Sequence, residues 1–389
     1  MPYDAAPLRV STTDSSATAP LRIVGVRTLL FRAPLVEPVR TSFGQMHDRP
    51  MLLVRVEDDS GLFGWGEVWC NFPSVGAEHR AHLLDSIVAP ILRERAWADP
   101  GAAYRELSRR LHILAIQSGE PGPMAQIIAG TDIALWDLAA RRAGQPLWRM
   151  LGGTPAVEVY ASGLNPSNPE ALAEKKLQEG YRAFKLKVGF GRELDLANLR
   201  ALRALVGPLP LMVDANQAWD ADTARAMSAA LAEFAPLWLE EPIAADQPLP
   251  VWQQLARDVK IPLAAGENLR GMEAFDAALE AAAFGVIQPD PGKWGGFSGC
   301  LKVGRKALAR GVMFCPHWLG GGIGLAASLH LKAAVGGPGY VEVDANPNPL
   351  RELGVIPAFQ IHEGTITLND IPGLGVVPNL AAIEPYRVH

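Results

Sequence analysis

The sequence has little of what marks secreted, membrane-spanning or nucleic-acid-binding proteins. Its three cysteines are spread over 389 residues without Cys-x-x-Cys spacing. This argues against a disulfide framework and favours free thiols in a reducing cytoplasm. No apolar run approaches the roughly 20 residues that a membrane-spanning helix needs. With a formal net charge of -5, the chain offers no broad basic surface, so we expect neither nucleic acid nor a membrane as a partner.

Familiar phosphate-binding and targeting motifs are also missing. No Gly-Lys-Ser or Gly-Lys-Thr follows the glycine-rich segment 320–324, and no Gly-x-Gly-x-x-Gly opens the first strand. We therefore predict that 320–324 is tight loop backbone near a substrate. The first 20 residues are rich in Ala, Ser, Thr and Asp and lack the apolar centre of a signal peptide, which predicts a disordered tail over 1–20.

Between residues 21 and 150 short strand patterns precede long helical ones, which predicts an α+β domain. The predicted strands are 23–32, 51–57 and a hairpin at 62–67, and the predicted helices are 79–95, 102–115 and 124–143. The polar segments 34–50 and 69–75 are predicted to be loops. The segment 351–389 returns to short strands and turns, and we expect it to pack back on this first domain.

Residues 151–350 alternate between short apolar runs and helical patterns. The predicted strands are 157–161, 183–188, 209–213, 237–239, 263–265, 286–288, 312–314 and 341–343, and the predicted helices are 169–178, 193–206, 221–234, 251–258, 272–281, 296–309 and 323–334. Eight strands with right-handed crossovers close into a β/α barrel. A flat doubly wound sheet is the alternative, but it would collect its ligands at a single switch point.

A polar residue ends nearly every one of these apolar runs, at intervals of 23 to 27 residues. The set is Lys187, Asp214, Glu240, Glu267, Asp290, His317 and Glu342. The carboxyl ends of barrel strands meet at one mouth, where the active sites of such barrels lie. The pattern therefore predicts that these side chains converge on one metal-dependent site.

Asp214, Glu240 and Glu267 are the predicted metal ligands. Three carboxylates at one mouth would repel each other and raise each other's pKa unless a cation neutralised them. Oxygen donors without cysteine suit Mg²⁺ better than Zn²⁺. The alternative is that each acid only caps a helix or faces solvent.

Lys185 and Lys187 alternate with apolar residues, so in a strand both ammonium groups point to one face. We predict Lys187 as a catalytic base, because the charge of Lys185 and partial desolvation would both lower its pKa. On the other side of the mouth, Asp290 would orient His317 for proton transfer. Glu342, kept protonated, would donate to a developing oxyanion; Asp344 is the alternative for this role.

Taken together, these residues resemble the enolase superfamily and, within it, the mandelate racemase subgroup. The likeness is carried by 130–137 (GTDIALWD), 146–147 (PL), 151–153 (LGG), 185–187 (KLK), 214–216 (DAN), 240–242 (EEP), 266–267 (GE), Asp290 with 293–296 (KWGG), and 316–317 (PH). The resemblance implies a modified (β/α)₇β barrel with an N-terminal α+β capping domain completed by the C-terminal segment. It also implies Mg²⁺ on the three acids, a Lys or His base, and a homo-oligomer. Asp290 stands where lactonizing and epimerase relatives carry a lysine, which favours the racemase pattern.

The expected substrate is a small carboxylate. Arg40, His47 and Arg49 in the segment 34–50 suit a polyhydroxylated acid. Asn216 in the matched motif 214–216 and Trp318, which directly follows the motif 316–317, are also expected to contact it. This favours an acid sugar dehydratase, with a racemase or epimerase and a sugar-lactone cycloisomerase as alternatives. A metal-free glycosidase using two of the acids and a non-catalytic sugar-acid binder are the alternatives from other classes.

Overall fold

A computed structural model describes residues 19–41 and 44–388 of the chain. The predicted tail, 1–20, lies almost wholly outside the described residues. Among the described residues, no helix is both long enough and apolar enough to cross a membrane.

The N-terminal unit is a three-stranded antiparallel sheet covered by helices. Its strands are β1 Ile23–Thr41, β2 Gly44–Asp58 and β3 Phe63–Val68, and its helices are α1 Gly76–Leu83, a π-helical turn Leu84–Val88, α2 Ala89–Arg93, α3 Pro100–Ser118, α4 Pro121–Arg142 and α5 Leu147–Met150. Helix α4 lies directly on β3, because Gly64 and Gly66 leave no side chain between them. A Cβ on Gly66 would lie 2.0 Å from the carbonyl oxygen of Gly130.

The predicted loop over 34–50 is wrong. Strands β1 and β2 remain paired far beyond residue 34, with Pro34 opposite Asp48 and Val39 opposite Met46. A register shift between these two pairs marks a bulge, which bends the ribbon. The segment is polar because much of an extended two-stranded ribbon is exposed, and polarity alone does not exclude a strand.

The second unit is a barrel-like sheet of parallel strands with helices outside. Its strands are β4 Ala156–Leu164, β5 Phe184–Lys187, β6 Leu211–Asp214, β7 Leu239–Glu240, β8 Leu263–Ala265, β9 Val286–Ile287, β10 Met313–Phe314 and β11 Val341–Asp344. The helices are α6 Pro169–Gln178, α7 Arg192–Val206, α8 Ala221–Leu231, α9 Leu249–Asp258, α10 Met272–Glu280, α11 Gly296–Ala309 and α12 Gly322–Val335. The order runs from β10 back to β4, and β11 pairs with the far side of β4. All the predicted barrel strands and helices overlap observed ones, which confirms the predicted barrel architecture.

The alternation of residues along β5 sorts its side chains between two cores. Phe184 and Leu186 pack outward in the layer between strands and helices, whereas Lys185 points inward, where its ammonium group lies near the Tyr160 ring. The inward residues form their own apolar cluster, made of Tyr160, Ala183, Met212, Trp238, Ala264, Val286 and Cys315. This cluster fills the barrel interior on which the polar residues at the strand ends rest.

The chain after the barrel divides its contacts between the two units. Its elements are α13 Pro349–Glu352, β12 Val355–Ile356, β13 Ile361–His362, β14 Thr365–Thr367, β15 Val377–Pro378 and α14 Leu380–Ile383. Strand β14 pairs with barrel strand β4. Further on, Leu374 donates its N–H to Asp137 of α4, 2.7 Å, and the N–H of Val388 donates to Leu30 of β1, 2.9 Å. The segment thus ties the N-terminal unit to the barrel.

Candidate active site

Lys185 is the most deeply buried charged group of the mouth. Its Nζ lies 2.7 Å from Glu240 Oε1 and 2.9 Å from Glu342 Oε1, and 3.3 Å from the Tyr160 hydroxyl. Burial lowers the pKa of Lys185, but these carboxylates outweigh burial and hold that pKa well above its ordinary value. Lys185 therefore stays charged and joins strands β5, β7 and β11 from inside.

Lys187, at the end of β5, has one dominant partner. Its Nζ lies 2.5 Å from Asp214 Oδ2 on the adjacent strand. Burial and Lys185 both lower the pKa of Lys187, as expected, but Asp214 more than compensates and the pKa is raised. The prediction of a lowered pKa is wrong for this arrangement, because sequence alone did not show how close Asp214 lies.

Asp290 and His317 form the hydrogen-bonded pair that the sequence predicts. His317 Nδ1 lies 2.6 Å from Asp290 Oδ2. The other oxygen, Oδ1, accepts the backbone N–H groups of Gly292 at 2.7 Å and Lys293 at 2.9 Å. Both carboxylate oxygens are therefore fixed. His317 Nε2 points into the mouth, 2.8 Å from Glu267 Oε2.

The surroundings of Glu342 favour its ionised form, which opposes the predicted role as a protonated donor. Burial alone would raise the pKa of Glu342, but Lys185 and His317 lower it to about 2. The carboxylate also accepts from the hydroxyl of Ser162 and from the backbone N–H of Trp318 at 3.1 Å. It holds the last barrel strand to its neighbours rather than offering a proton.

Unusual backbone follows the strands that carry the three predicted metal ligands. Asn216 and Glu241 are non-glycine residues with φ of 43° and 35°, and Gly266 has φ of 140°. A Cβ on Gly266 would lie 2.7 Å from the backbone nitrogen of Gln288. Strained backbone of this kind clusters at functional sites. Here it turns the chain sharply after each of the three strands, at the barrel mouth.

The three predicted ligands lie on successive strands, with Asp214 paired in register with Glu240 and Glu267 following β8. They are not gathered into a finished cage: among the described residues, no three His, Cys, Asp or Glu side chains lie as ligands of one ion. Each carboxylate instead touches a cation of the protein. Lys187 forms an ion pair with Asp214, and Lys185 forms one with Glu240. Glu267 contacts both His317 and Lys293.

The donor chemistry nevertheless fits Mg²⁺. Burial, together with the neighbouring carboxylates, raises the pKa of Glu240 to about 7 and that of the adjacent Glu241 to about 8. Burial is the largest cause of both shifts and the neighbouring carboxylates add to it, so a bound cation would favour the ionised forms of these groups. The three predicted ligands all offer carboxylate oxygen, which is what Mg²⁺ prefers.

Three of the residues predicted to bind substrate lie on the paired strands β1 and β2, and the side chains of two of them are described. Arg40 belongs to β1, but its side chain lies outside the described part of the structure. His47 is exposed on β2. Arg49 is buried, bonded to Asp344 at the end of β11 and 3.1 Å from Met46 Sδ. Its guanidinium links the ribbon to the barrel mouth.

Asn216 and Trp318, also predicted to bind substrate, both make hydrogen bonds within the protein. Asn216 donates its backbone N–H to Asp214 Oδ1 at 2.8 Å and its side-chain amide to Oδ2 at 3.1 Å. Trp318 is 2% exposed, and its Nε1 donates to the carbonyl oxygen of Gly321 at 2.9 Å. The indole N–H is thus already used inside the protein.

Sequence reasoning missed Lys293 as part of the mouth. Its Nζ lies 2.9 Å from Glu267 Oε1 and 4.6 Å from the centre of the Trp69 ring. Trp69 comes from the predicted loop 69–75 and brings that loop over the barrel. The only sequence signal was the place of Lys293 in the 293–296 motif, to which no role was attached.

Two buried carboxylates of the N-terminal unit, Glu67 and Asp132, were also missed. Both reach barrel helices rather than the mouth itself. Burial raises the pKa of each to about 7, although backbone N–H donors partly offset it. Asp132 belongs to the 130–137 motif, so its place in the matched pattern was the available clue.

Two family models match separate parts of the chain. Residues 23–152 match the family described as "Mandelate racemase / muconate lactonizing enzyme, N-terminal domain". Residues 169–382 match the family described as "Enolase C-terminal domain-like". A curated relative, D-galactarolactone cycloisomerase of Agrobacterium fabrum, is 31% identical over 394 residues, which cover 95% of this chain and 99% of the relative.

Solved structures agree along nearly the whole chain. A mandelate racemase/muconate lactonizing enzyme from Bordetella bronchiseptica RB50 is 53% identical, covers 95% of this chain and 100% of its own, and has a TM-score of 0.88. A racemase from Streptomyces coelicolor A3(2) with bound magnesium is 31% identical, covers 94% and 100%, and has a TM-score of 0.85. Relatives of this chain include acid sugar dehydratases, sugar-lactone cycloisomerases and racemases. The chain belongs to the enolase superfamily, with the capping domain of the mandelate racemase and muconate lactonizing enzymes.

Proposed function

We propose that this protein is a Mg²⁺-dependent enzyme that dehydrates an acid sugar to a 2-keto-3-deoxy acid. The supporting observation is that two proton-transfer groups reach one acidic centre from different sides of the barrel. Lys187 contacts Asp214 and His317 contacts Glu267. Four strands, β6 to β9, lie between the strands that carry them.

The α-proton is removed on the Lys187 side. Lys187 Nζ accepts the proton as a neutral amine. The electron pair of the broken C–H bond first moves into the substrate carboxylate and then forms the double bond to the β-carbon when the hydroxyl leaves. Asp214, Glu240 and Glu267 would hold Mg²⁺, whose positive charge would stabilise the charge that develops on the substrate carboxylate and offset the effect of Asp214 and Glu240 on Lys187. Lys185 stays charged beside Glu240 and Glu342, and its positive charge offsets the repulsion between these carboxylates.

The β-hydroxyl leaves on the His317 side. His317 Nε2 donates a proton to the hydroxyl oxygen as its bond to carbon breaks, so that the group departs as water. Asp290 holds the opposite ring nitrogen, which keeps the ring aimed and stabilises its charged form. The enol that remains takes up a proton and becomes the 2-keto acid.

A sugar-lactone cycloisomerase is the second candidate, favoured by the match to D-galactarolactone cycloisomerase over 99% of that relative. The same residues would serve, because opening a lactone by elimination also starts at the α-proton. Only the leaving group differs: a ring carboxylate that stays attached replaces water. Racemisation would instead return the proton to the α-carbon.

The deciding experiment is a screen of hexonic, pentonic and hexaric acids and their lactones with Mg²⁺, read by formation of 2-keto product. Water loss seen by mass identifies dehydration, and a product of unchanged mass identifies cycloisomerisation. Exchange of the α-proton with solvent deuterium and inversion without keto product would identify a racemase. No turnover and no exchange with any acid, Mg²⁺ present, would reject the proposal.

The state of the cysteines bears on the compartment in which the protein works. Cys70, Cys300 and Cys315 are free and buried, which supports a place in the reducing cytoplasm. The homo-oligomer implied by the resemblance stays a prediction, and sedimentation analysis would measure it.

A further inference from the structure

Asp290 and His317 lie on two neighbouring loops, each of which connects a barrel strand to the helix that follows it. After β9 the chain passes through Asp290 and enters helix α11; after β10 it passes through His317 and enters helix α12. Each helix begins with glycine and has no side-chain hydrogen bond from its own N-cap residue. Such helix ends leave backbone N–H groups that need acceptors.

The acceptor at α11 is Asp132, from helix α4 of the capping domain. Its Oδ2 accepts the backbone N–H of Ser298 at 2.9 Å, and its Oδ1 accepts the hydroxyl of Ser298 at 2.6 Å. Asp132 is 1% exposed. A Cβ on Gly296 would lie 2.3 Å from Asp132 Oδ2, so the glycine makes room for a carboxylate from the other unit.

The acceptor at α12 is Glu67, from strand β3 of the capping domain. Its Oε1 accepts the backbone N–H of Gly321 at 2.5 Å, and its Oε2 accepts that of Gly324 at 2.8 Å. Glu67 is also 1% exposed. A negative group at a helix N-terminus is stabilised by the helix dipole, and here it is supplied by a residue more than 250 positions earlier in the chain.

Trp318 connects these caps to the catalytic pair. It directly follows His317, and its Nε1 donates to the carbonyl oxygen of Gly321, the residue that Glu67 holds. The same indole packs against both loops. A Cβ on Gly324 would lie 1.9 Å from the ring, and a Cβ on Gly292, whose N–H bonds to Asp290, would lie 2.5 Å from it.

We propose that Glu67 and Asp132 are positioning residues through which the capping domain sets the geometry of the Asp290–His317 pair. Neither touches the reacting atoms; each fixes the loop that carries one member of the pair. By contrast, Lys187 is held by Asp214 within the barrel itself. The position of the capping domain therefore affects proton donation by His317 more than proton abstraction by Lys187. This inference rests on the proposed function for its kinetic consequence, but not for its structural one.

Asp137 provides a matched control on the same helix as Asp132. It is fully buried and accepts backbone N–H groups of Trp65 at 2.8 Å and Leu374 at 2.7 Å. Neither of these lies in the loops of the catalytic pair. Asp137 also pairs with Arg141, at 2.9 Å. Asp137→Asn therefore removes a buried carboxylate charge without removing a hydrogen bond to the loops that carry Asp290 and His317.

The test compares Glu67→Gln and Asp132→Asn with Asp137→Asn in the full-length, Mg²⁺-loaded protein. In Glu67→Gln the amide keeps the shape of the carboxylate but turns an N–H toward a backbone N–H donor, so the loop must shift. In Asp132→Asn the amide N–H must face either the backbone N–H of Ser298 or its hydroxyl, which then has to reverse its own bond. We expect Glu67→Gln to speed backbone hydrogen exchange in peptides covering 318–326, and Asp132→Asn in those covering 292–300. Asp137→Asn should leave both peptides as in the wild type.

Two further readouts follow the pair itself. Because a displacement of about 1 Å in a catalytic group can cost roughly 10²-fold in rate, we expect elimination to slow at least about tenfold in Glu67→Gln and Asp132→Asn. Exchange of the substrate α-proton, which uses Lys187, should change much less. Without any substrate, diethyl pyrocarbonate labelling of His317, read by peptide mass, should change in rate in these two variants only.

The proposal is overturned if the labelling and loop exchange of both variants match the wild type, or if Asp137→Asn changes them equally. A wild type that eliminates nothing from any acid sugar would defeat the proposed function instead, and the labelling and exchange results would still decide this inference. If Glu67→Gln does not fold, Glu67→Asp, which keeps the charge but shortens the reach, is measured in its place and should give a smaller change in the same direction.

Discussion

The ammonium nitrogen of Lys185 lies 2.7 Å from Oε1 of Glu240, and neither side chain is more than 2% exposed. The pair crosses the barrel interior between strands that are not neighbours, and Glu342 shares the same cation. A lysine held in this way does not act as a free base. Its charge allows several carboxylates to be buried together at the mouth.

Replacing Lys185 with methionine should destabilise the protein severely. Removing one partner of a buried ion pair costs about 3–5 kcal/mol, because the other charge stays buried without compensation. We expect a loss of this size in urea unfolding with EDTA present, and a smaller loss with Mg²⁺. Lys187→Met, which removes a less central ammonium, should cost less. Equal midpoints for the wild type and Lys185→Met would show that Lys185 is not needed to balance the acids.

Lys187→Ala should abolish abstraction of the α-proton. General acid–base groups contribute about 10²–10⁴-fold to rate, so both deuterium exchange at the α-carbon and product formation should fall by at least about 10²-fold. The stabilisation of the protein by Mg²⁺ should persist. Wild-type exchange in this variant would assign the base to another residue.

His317→Asn should separate the two halves of the reaction. The variant keeps Lys187, so α-deuterium exchange should remain detectable, whereas expulsion of the leaving group should fall by about 10²–10⁴-fold for loss of the general acid. NMR of the substrate measures exchange, and a keto-acid assay measures elimination. Loss of both to the same extent would mean that His317 acts in the first step as well.

Mg²⁺ should stabilise the folded protein through the three predicted ligands. A ligand that binds only the native state adds about 2.7 kcal/mol at 100 times its dissociation constant. After treatment with EDTA, titration with MgCl₂ should raise the melting temperature of the wild type. Asp214→Asn and Glu267→Gln should remove this rise. A rise of the same size in both variants would place the ion elsewhere.

The barrel could be predicted from sequence because its pattern is local. Apolar runs and helical periods recur, and the alternation of 185–187 already assigns the two lysines to one face. The extension of β1 and β2 over 34–50 could not be predicted, because strand pairing depends on a partner rather than on polarity. The caps from Glu67 and Asp132 lie even further from local patterning, since no spacing rule connects Glu67 to Gly321, 254 residues away.

The sequence predicts which charged groups influence each other's pKa, but not whether a given pKa is raised or lowered in the end. The sequence shows that Lys185 would lower the pKa of Lys187, and the structure agrees that it acts in this direction. Whether that effect wins depends on a carboxylate 2.5 Å away. The same holds for Glu342, where Lys185 and His317 outweigh burial. Distances of this kind are set by register and rotamer, which a single sequence does not state.

His330, assigned no role from the sequence, is locked in one neutral form between three parts of the chain. Its Nδ1 accepts the backbone N–H of Trp148 at 2.9 Å, so the proton must sit on Nε2, which donates to the carbonyl oxygen of Leu374 at 3.0 Å. Burial lowers the pKa of His330 to about 3, although the bond to Leu374 opposes this. Protonation of Nδ1 would break the bond to Trp148.

His330 should therefore make the protein less stable as the pH falls. Between about pH 6.5, where an unfolded histidine titrates, and pH 3, the unfolded chain takes up a proton that the native state refuses. Each pH unit in this range removes about 1.4 kcal/mol from the free energy of unfolding. His330→Gln can keep both hydrogen bonds without titrating, so its stability should approach that of the wild type as the pH drops from 7 to 4 in urea unfolding. The same change at exposed His362 is the control; parallel curves for His330→Gln and the wild type would contradict the assignment.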